Sequence, residues 1–197
     1  MSQAGNDTEE RFRALFGRCS RPLLTYALRR VGEPADAADV VAETFVVAWR
    51  RLDEIPPGGE ARLWLFGVAR RVIANHQRGG LRRSRLADRL RAELVEHVEL
   101  DPMASVETRQ VVATALGRLD EDDRELLRLT SWEGLTPAEI ATVCGIPSGR
   151  ARSRLHRARG RFRAELEKLG WDDERTAGTG HEEADGRVLV QDTKDGT

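Results

Sequence analysis

Seven arginines and no acid fall within the sixteen residues from Ser148 to Arg163. Guanidinium groups at that density suit phosphate oxygens and guanine edges. The spacing sharpens this. Ala151, Leu155, Ala158 and Phe162 stand at i, i+4, i+7 and i+11 and form the apolar stripe of a helix. Arg150, Arg154, Arg157 and Arg161 repeat that spacing one residue earlier, and Arg152, His156, Arg159 and Arg163 one residue later. The seam is therefore flanked by cations on both sides, and the chemistry expected of it is contact with duplex DNA. A solvated helical hairpin explains the stripe but not the lack of acids. Other reactive groups point nowhere. His76, His97, His156 and His181 are scattered, and Cys19 and Cys144 have no metal-ligand or redox spacing. The acids Asp120 to Asp123 open a helix, where they cap it and meet the positive end of its dipole. No phosphate loop, nucleophile elbow or paired-acid arrangement occurs, so the reading is a non-enzyme without metal or cofactor.

The arginine ladder needs an element to aim it, and the residues before it supply one. Thr136 is placed to cap a helix whose first residue is Pro137, with Glu139 at the reciprocal position of a capping box. Ile140, Ala141 and Val143 face inward. Gly145 suits a left-handed turn, Ile146 plugs it, and Pro147 and Ser148 start the next helix with Ser148 as its cap. This is a helix-turn-helix. Its second helix, Ser148 to Lys168, would be about 30 Å long. The N-terminal end of such a helix enters the major groove. Arg150 and Arg154 are expected at bases, Arg157 and Arg161 at phosphates.

The remaining chain reads as helical throughout. Ala, Leu, Arg and Glu dominate its 197 residues, and aromatic residues make up only 5%. A helical period runs from Glu10 to Val31, after frayed residues 1–9, and Pro22 predicts a break near Ser20. Asp36 to Leu52 and Arg62 to Gln77 are two further helices, separated by the Pro-Pro-Gly-Gly loop. Leu86, Leu90 and Leu94 suggest a partial helix within an Arg/Glu-rich linker. Helices near Val106–Leu119 and Glu121–Trp132 lead into the helix-turn-helix. Net charge is −1, yet residues 1–171 hold 29 basic against 25 acidic residues, and residues 172–197 hold three against eight. A basic body suggests a polyanionic partner. The acidic, Gly-rich tail is expected to be disordered, either competing with DNA for the ladder or merely solubilising. No apolar run approaches the length of a membrane span, and the N-terminus lacks a signal-peptide core, so a cytoplasmic location is expected.

Two motifs in order carry a resemblance. "DAADVVAETFVVAWRRLDE" followed by "ARLWLFGVARRVIANHQRG" resembles region 2 of the bacterial RNA polymerase sigma-70 family, in its extracytoplasmic-function group. Asp36, Asp39, Val41, Glu43, Phe45, Ala48 and Trp49 match the first helix of that pattern; Trp64, Leu65, Ala69, Arg70 and Arg78 match the second. The helix-turn-helix is similar to region 4. The chain departs from the pattern at Ala42, where the family has glutamine, at Arg71 for asparagine, at Asn75 for aspartate, and at Arg150-Ala151-Arg152 for Thr-Val-Lys.

The resemblance implies an all-α protein of two small helical domains. Region 2 would occupy residues 1–88, a linker 89–104, region 4 residues 105–171 and the acidic disordered tail 172–197. It implies a sigma factor that binds core RNA polymerase, recognises promoter DNA and helps to melt it. Asp39 and Glu43, on an exposed edge, would dock on polymerase. Trp64, Arg70, Arg71, Asn75, His76 and Arg78, with the loop 53–61, would hold the minus-ten strand, Asn75 and His76 facing bases. Trp49 and Trp64 also lie beside apolar stripes, and the core is the favoured reading for both. Ser148, Arg150, Arg152, Ser153, Arg154, Arg157 and Arg161 would meet the minus-thirty-five element. An anti-sigma factor is a further candidate partner, and the free chain is expected to be a monomer without membrane insertion. The competing reading is a stand-alone helix-turn-helix regulator whose N-terminal bundle senses a ligand or dimerises.

Overall fold

Pro22 does not divide the first helix. In the computed structural model, which describes residues 3–77 and 106–171, helix α1 runs unbroken over Gln3–Val31 with the proline inside it. The predicted break rested on a local rule, the missing N–H and the ring clash one turn back. Packing overrides that rule. Leu15 and Cys19 before the proline, and Leu23, Leu24, Tyr26 and Ala27 after it, are all buried. A break would lift part of that stripe off its partners. The helix also takes in residues expected to fray.

α2 spans Pro34–Arg50, with its proline in the first turn, where the missing N–H costs nothing. A short 3-10 turn at Leu52–Glu54 and a loop with left-handed Gly58 lead to α3, Glu60–Gln77. These three helices pack on one another through Val40, Val41, Phe45, Leu65, Phe66 and Ala69. Phe12 and Phe16 of α1 meet the Phe45 ring at 6.0 and 4.8 Å. Ala42 is fully buried, so this position belongs to the core and not to the partly exposed edge of Asp39 and Glu43. Trp49 falls outside the core: it is 40% exposed and meets Phe12 edge-on.

The second group is α4 (Val106–Gly117), α5 (Glu121–Ser131), α6 (Pro137–Cys144) and α7 (Ser148–Lys168). Among the described residues every regular element is helical, and no helix is long and apolar enough to cross a membrane. The linker, the partial helix around Leu86 to Leu94, Arg78 and the acidic tail lie outside the described residues.

The two groups are packed together. α3 meets α6 so closely that a Cβ added at Gly67 would stand 3.2 Å from the Val143 carbonyl oxygen. Beside this contact lies a buried polar network. The Tyr26 hydroxyl donates to Glu125 Oε1 at 2.9 Å, and Arg30 Nε donates to Glu125 Oε2 at 2.9 Å. Arg30 Nη1 donates to Glu133 Oε1 at 3.1 Å. The Arg30 and Glu125 side chains are 3% and 6% exposed. Burial, and then the charge of Glu125, push the Tyr26 hydroxyl well above its ordinary range.

Candidate nucleic-acid interface

The turn that aims the ladder is built as its residues dictate. The Thr136 hydroxyl accepts from the Glu139 N–H at 3.3 Å, and the Thr136 N–H donates to Glu139 Oε2 at 2.8 Å. Gly145 ends α6 at φ 65°, ψ 37°, and the Ile146 N–H donates to the Ala141 carbonyl at 3.0 Å. Ile140, Ala141 and Val143 are buried beneath the turn. The Thr136 backbone N–H, and then its hydroxyl, hold the Glu139 carboxyl below its usual range. That stabilisation is present at neutral pH and fades as pH falls through the lowered value. Thr136→Ala is therefore expected to cost about 1 kcal/mol at neutral pH and less in acid, measured by thermal melts at the two pH values.

α7 begins differently from expectation. Pro147 is the N-cap and makes no side-chain bond, while Ser148 is already the first helical residue. A Ser148 cap would need the turn to run one residue longer, but Ile146 is seated on the core and ends it at Pro147. The seam is as predicted: Ala151, Leu155 and Ala158 are buried and Phe162 partly so.

The arginines divide into two sets. Arg150, Arg152, Arg157, Arg159 and Arg163 are exposed, as are Ser148, Ser153 and His156. Ser153 Oγ donates back to the Gly149 carbonyl at 3.0 Å. Arg154, half-buried, and Arg161, itself exposed, turn onto the acidic start of α5. Arg154 Nε donates to Asp123 Oδ1 at 3.1 Å, and its Nη1 lies 3.0 Å from Asp122 Oδ2. Arg161 Nη1 donates to Asp123 Oδ2. Asp123 is wholly buried, and a buried carboxylate requires such partners. Asp120 caps α5, accepting from the Asp123 N–H at 2.8 Å. The four acids thus serve as cap and helix-end charge, and three of them, Asp120, Asp122 and Asp123, also anchor α7. The sequence could have suggested these pairs only through the cluster of acids itself, since the partners stand more than thirty positions apart.

The α3 candidates also separate. Arg71 and Asn75 lie one turn apart on an exposed strip. Arg70 turns to α5, where its Nη2 donates to Asp122 Oδ1 at 2.9 Å. His76 Nε2 lies 3.5 Å from Asp36 Oδ2. Trp64 is partly buried against the core, with the Arg51 guanidinium 5.8 Å from its ring.

Between α1 and the loop before α3 opens a cavity of about 650 Å³, walled by Leu15, Leu52, Ile55 and Pro56 and rimmed by Arg11 and Arg18. Sequence reasoning missed both arginines. Their signal is weak: they stand seven residues apart on the polar side of the α1 stripe. An apolar slot with guanidinium groups at its mouth suits a flat base followed by its phosphate.

Comparison with known proteins bears on this geometry. Residues 15–83 match the family model for Sigma-70 region 2, and residues 109–162 that for Sigma-70, region 4. The ECF RNA polymerase sigma factor SigL of Mycobacterium tuberculosis is 35% identical over 159 residues, covering 80% of this chain and 90% of that protein. The RNA polymerase sigma factor CnrH of Cupriavidus metallidurans is 33% identical over 178 residues, covering 84% of this chain and 92% of that one. Among solved structures, CnrH in complex with the cytosolic domain of CnrY superposes with a TM-score of 0.55 at 32% identity, covering 80% of this chain and 88% of that one. The sigma factor RpoE, crystallised with the anti-sigma factor NepR from Bartonella quintana, shares the fold at a TM-score of 0.58 and 24% identity, with 79% and 96% covered.

Proposed function

The chain belongs to the extracytoplasmic-function (ECF) sigma factors of the sigma-70 family, and from that premise we propose that it binds core RNA polymerase and directs promoter-specific initiation, recognising promoter DNA and helping to melt it. The observation that supports this reading is the pairing, in one chain, of two different surfaces whose chemistry suits nucleic acid. One is a helix-turn-helix with an exposed arginine flank, which suits duplex DNA. The other is an apolar slot rimmed by arginines beside the start of α3, which suits an unstacked strand. A stand-alone regulator needs only the first.

In this reading Arg150 and Arg152 on the first turns of α7, with Ser148 and Ser153, lie along the major groove of the minus-thirty-five element, and Arg157 meets phosphate. Arg71, Asn75 and the slot under Ile55 and Pro56 hold the minus-ten strand, with Trp64, His76, Arg70 and Arg78 alongside. Asp39 and Glu43 dock on polymerase. An anti-sigma factor is a further partner in this reading, supported by the related RpoE, which was crystallised with the anti-sigma factor NepR.

Arg154 separates reading from support. Its removal strips one of two arginines from buried Asp123, so Arg154→Ala is expected to lower stability by about 1.5–3 kcal/mol. Arg150→Ala leaves stability unchanged and relaxes preference at one promoter position, by about 1–3 kcal/mol if it reads a guanine. Melting curves and a promoter-variant series compare the two. Unchanged promoter choice in Arg150→Ala rejects its role at a base. The whole reading is tested by run-off transcription with core polymerase.

A further inference from the structure

We propose that His156 is a specificity-determining residue for the minus-thirty-five element: its imidazole N–H donates to the N7 of one purine on the floor of the major groove, between two flanking rows of arginines. The inference rests on the preceding reading of α7 as the helix that enters that groove.

The face of α7 furthest from the core follows from its buried seam. Each residue turns a helix by about 100°, so a set two positions before the seam points almost directly away from it. For Ala151, Leu155, Ala158 and Phe162 that set is Gly149, Ser153, His156 and Gly160, and all four are exposed. Arg150 and Arg157 border this strip on one side, and Arg152, Arg159 and Arg163 on the other. Arg154 and Arg161 are turned aside to buried Asp123. His156 is therefore the one long side chain on the strip. Its neighbours stay low. A Cβ added at Gly149 or Gly160 would meet nothing within 4 Å, so packing inside the chain does not call for glycine at either place, and glycine is a poor helix former. Close approach of another molecule is what such residues permit. Ser153 holds its hydroxyl back on the Gly149 carbonyl at 3.0 Å.

A helix laid in a groove meets the walls with its flanks and the floor with the face opposite its seam. The walls are phosphate, which suits arginine, and in the first turns arginines also reach base edges. The floor offers base-edge acceptors, among them the N7 of guanine and adenine. A neutral imidazole has one N–H to give. His156 lies eight residues beyond Ser148, about 12 Å along the axis, which matches a groove about 12 Å wide. One such bond separates purine from pyrimidine at its position and leaves guanine and adenine alike, since both carry N7.

The test uses core polymerase with the full chain, on a promoter that the wild type selects. Each purine of the minus-thirty-five element is replaced in turn by its 7-deaza analogue, which lacks N7 and keeps Watson–Crick pairing. Run-off yield against promoter concentration gives an apparent affinity for wild type, His156→Ala and Arg163→Ala, and circular dichroism checks that all three are folded. At one purine the analogue is expected to weaken wild type by about three- to ten-fold. His156→Ala is expected to weaken use of the intact promoter by the same factor, to ignore the analogue at that purine to within about twofold, and to keep the penalties elsewhere. Arg163→Ala is expected to weaken all templates alike and to keep every penalty. A His156→Ala protein that keeps every wild-type penalty overturns the inference, as does a wild type indifferent to every analogue; promoter choice by wild type then leaves the sigma-factor reading standing. No chain-dependent transcript from wild type rejects the inference together with that reading.

Discussion

Glu125→Ala is expected to drive the two helical groups apart. Glu125 accepts from the Tyr26 hydroxyl and from Arg30 Nε, and it lies beside Arg128. Its removal strands a buried donor on Tyr26. It also leaves Arg30 with Glu133 as its remaining carboxylate among the described residues, while Arg30 Nη2 and Arg128 Nε already lack described partners. Burial and the neighbouring Arg30 charge depress the Arg128 guanidinium. Breaking such a buried pair costs about 3–5 kcal/mol if the packing is kept. The chain has a cheaper course, since undocking α5 and α6 from α1 and α3 returns Arg30 to water. Small-angle scattering should report a larger radius of gyration for Glu125→Ala, with helicity retained. Replacing the whole network by apolar groups, Tyr26→Phe with Arg30→Met, Glu125→Leu, Arg128→Met and Glu133→Leu, should keep the halves docked, because it removes the desolvation cost together with the attraction. An unchanged radius for Glu125→Ala would show that the apolar contact around Gly67 and Val143 holds the halves unaided.

The second large effect concerns polymerase. Asp39 and Glu43 stand one turn apart on α2, both partly exposed. Asp39→Arg with Glu43→Arg reverses two charges on that edge while leaving Val40, Val41 and Phe45 in the core. Co-purification with core polymerase is expected to be lost, with helicity unchanged. In this reading the acids meet a basic face on polymerase, so the reversed edge makes a like-charge encounter that costs several kcal/mol, roughly a thousandfold or more in affinity. Loss of helicity would assign these acids to the fold, and retained co-purification would move the docking face elsewhere.

What the chain discloses by sequence is what local chemistry decides. Thr136, Pro137, Glu139 and Gly145 each act within one helical turn, and the structure carries all four roles. The seam of Ala151, Leu155 and Ala158 was equally plain, because period alone sets a buried face. Pro22 misled because a steric rule within one turn lost to a stripe packed against two other helices. Ser148 misled because the seat of Ile146 set where the turn ends. The division of the ladder was not legible at all. Arg154 and Arg161 look like Arg150 and Arg157 in spacing, and what distinguishes them is an acidic helix end brought alongside by folding. The same holds for Tyr26 and Glu125, ninety-nine positions apart. Arg11 and Arg18 gain meaning only from the loop that closes the slot between them.

The central claim, that this chain confers promoter choice on core polymerase, is tested most directly by run-off transcription over a promoter library, with purified core polymerase and with or without the chain. The account predicts transcripts that appear only with the chain, start at one class of promoter, and disappear with Asp39→Arg plus Glu43→Arg. No chain-dependent transcript, together with tight binding of the chain alone to a duplex operator, would contradict it and favour the stand-alone regulator.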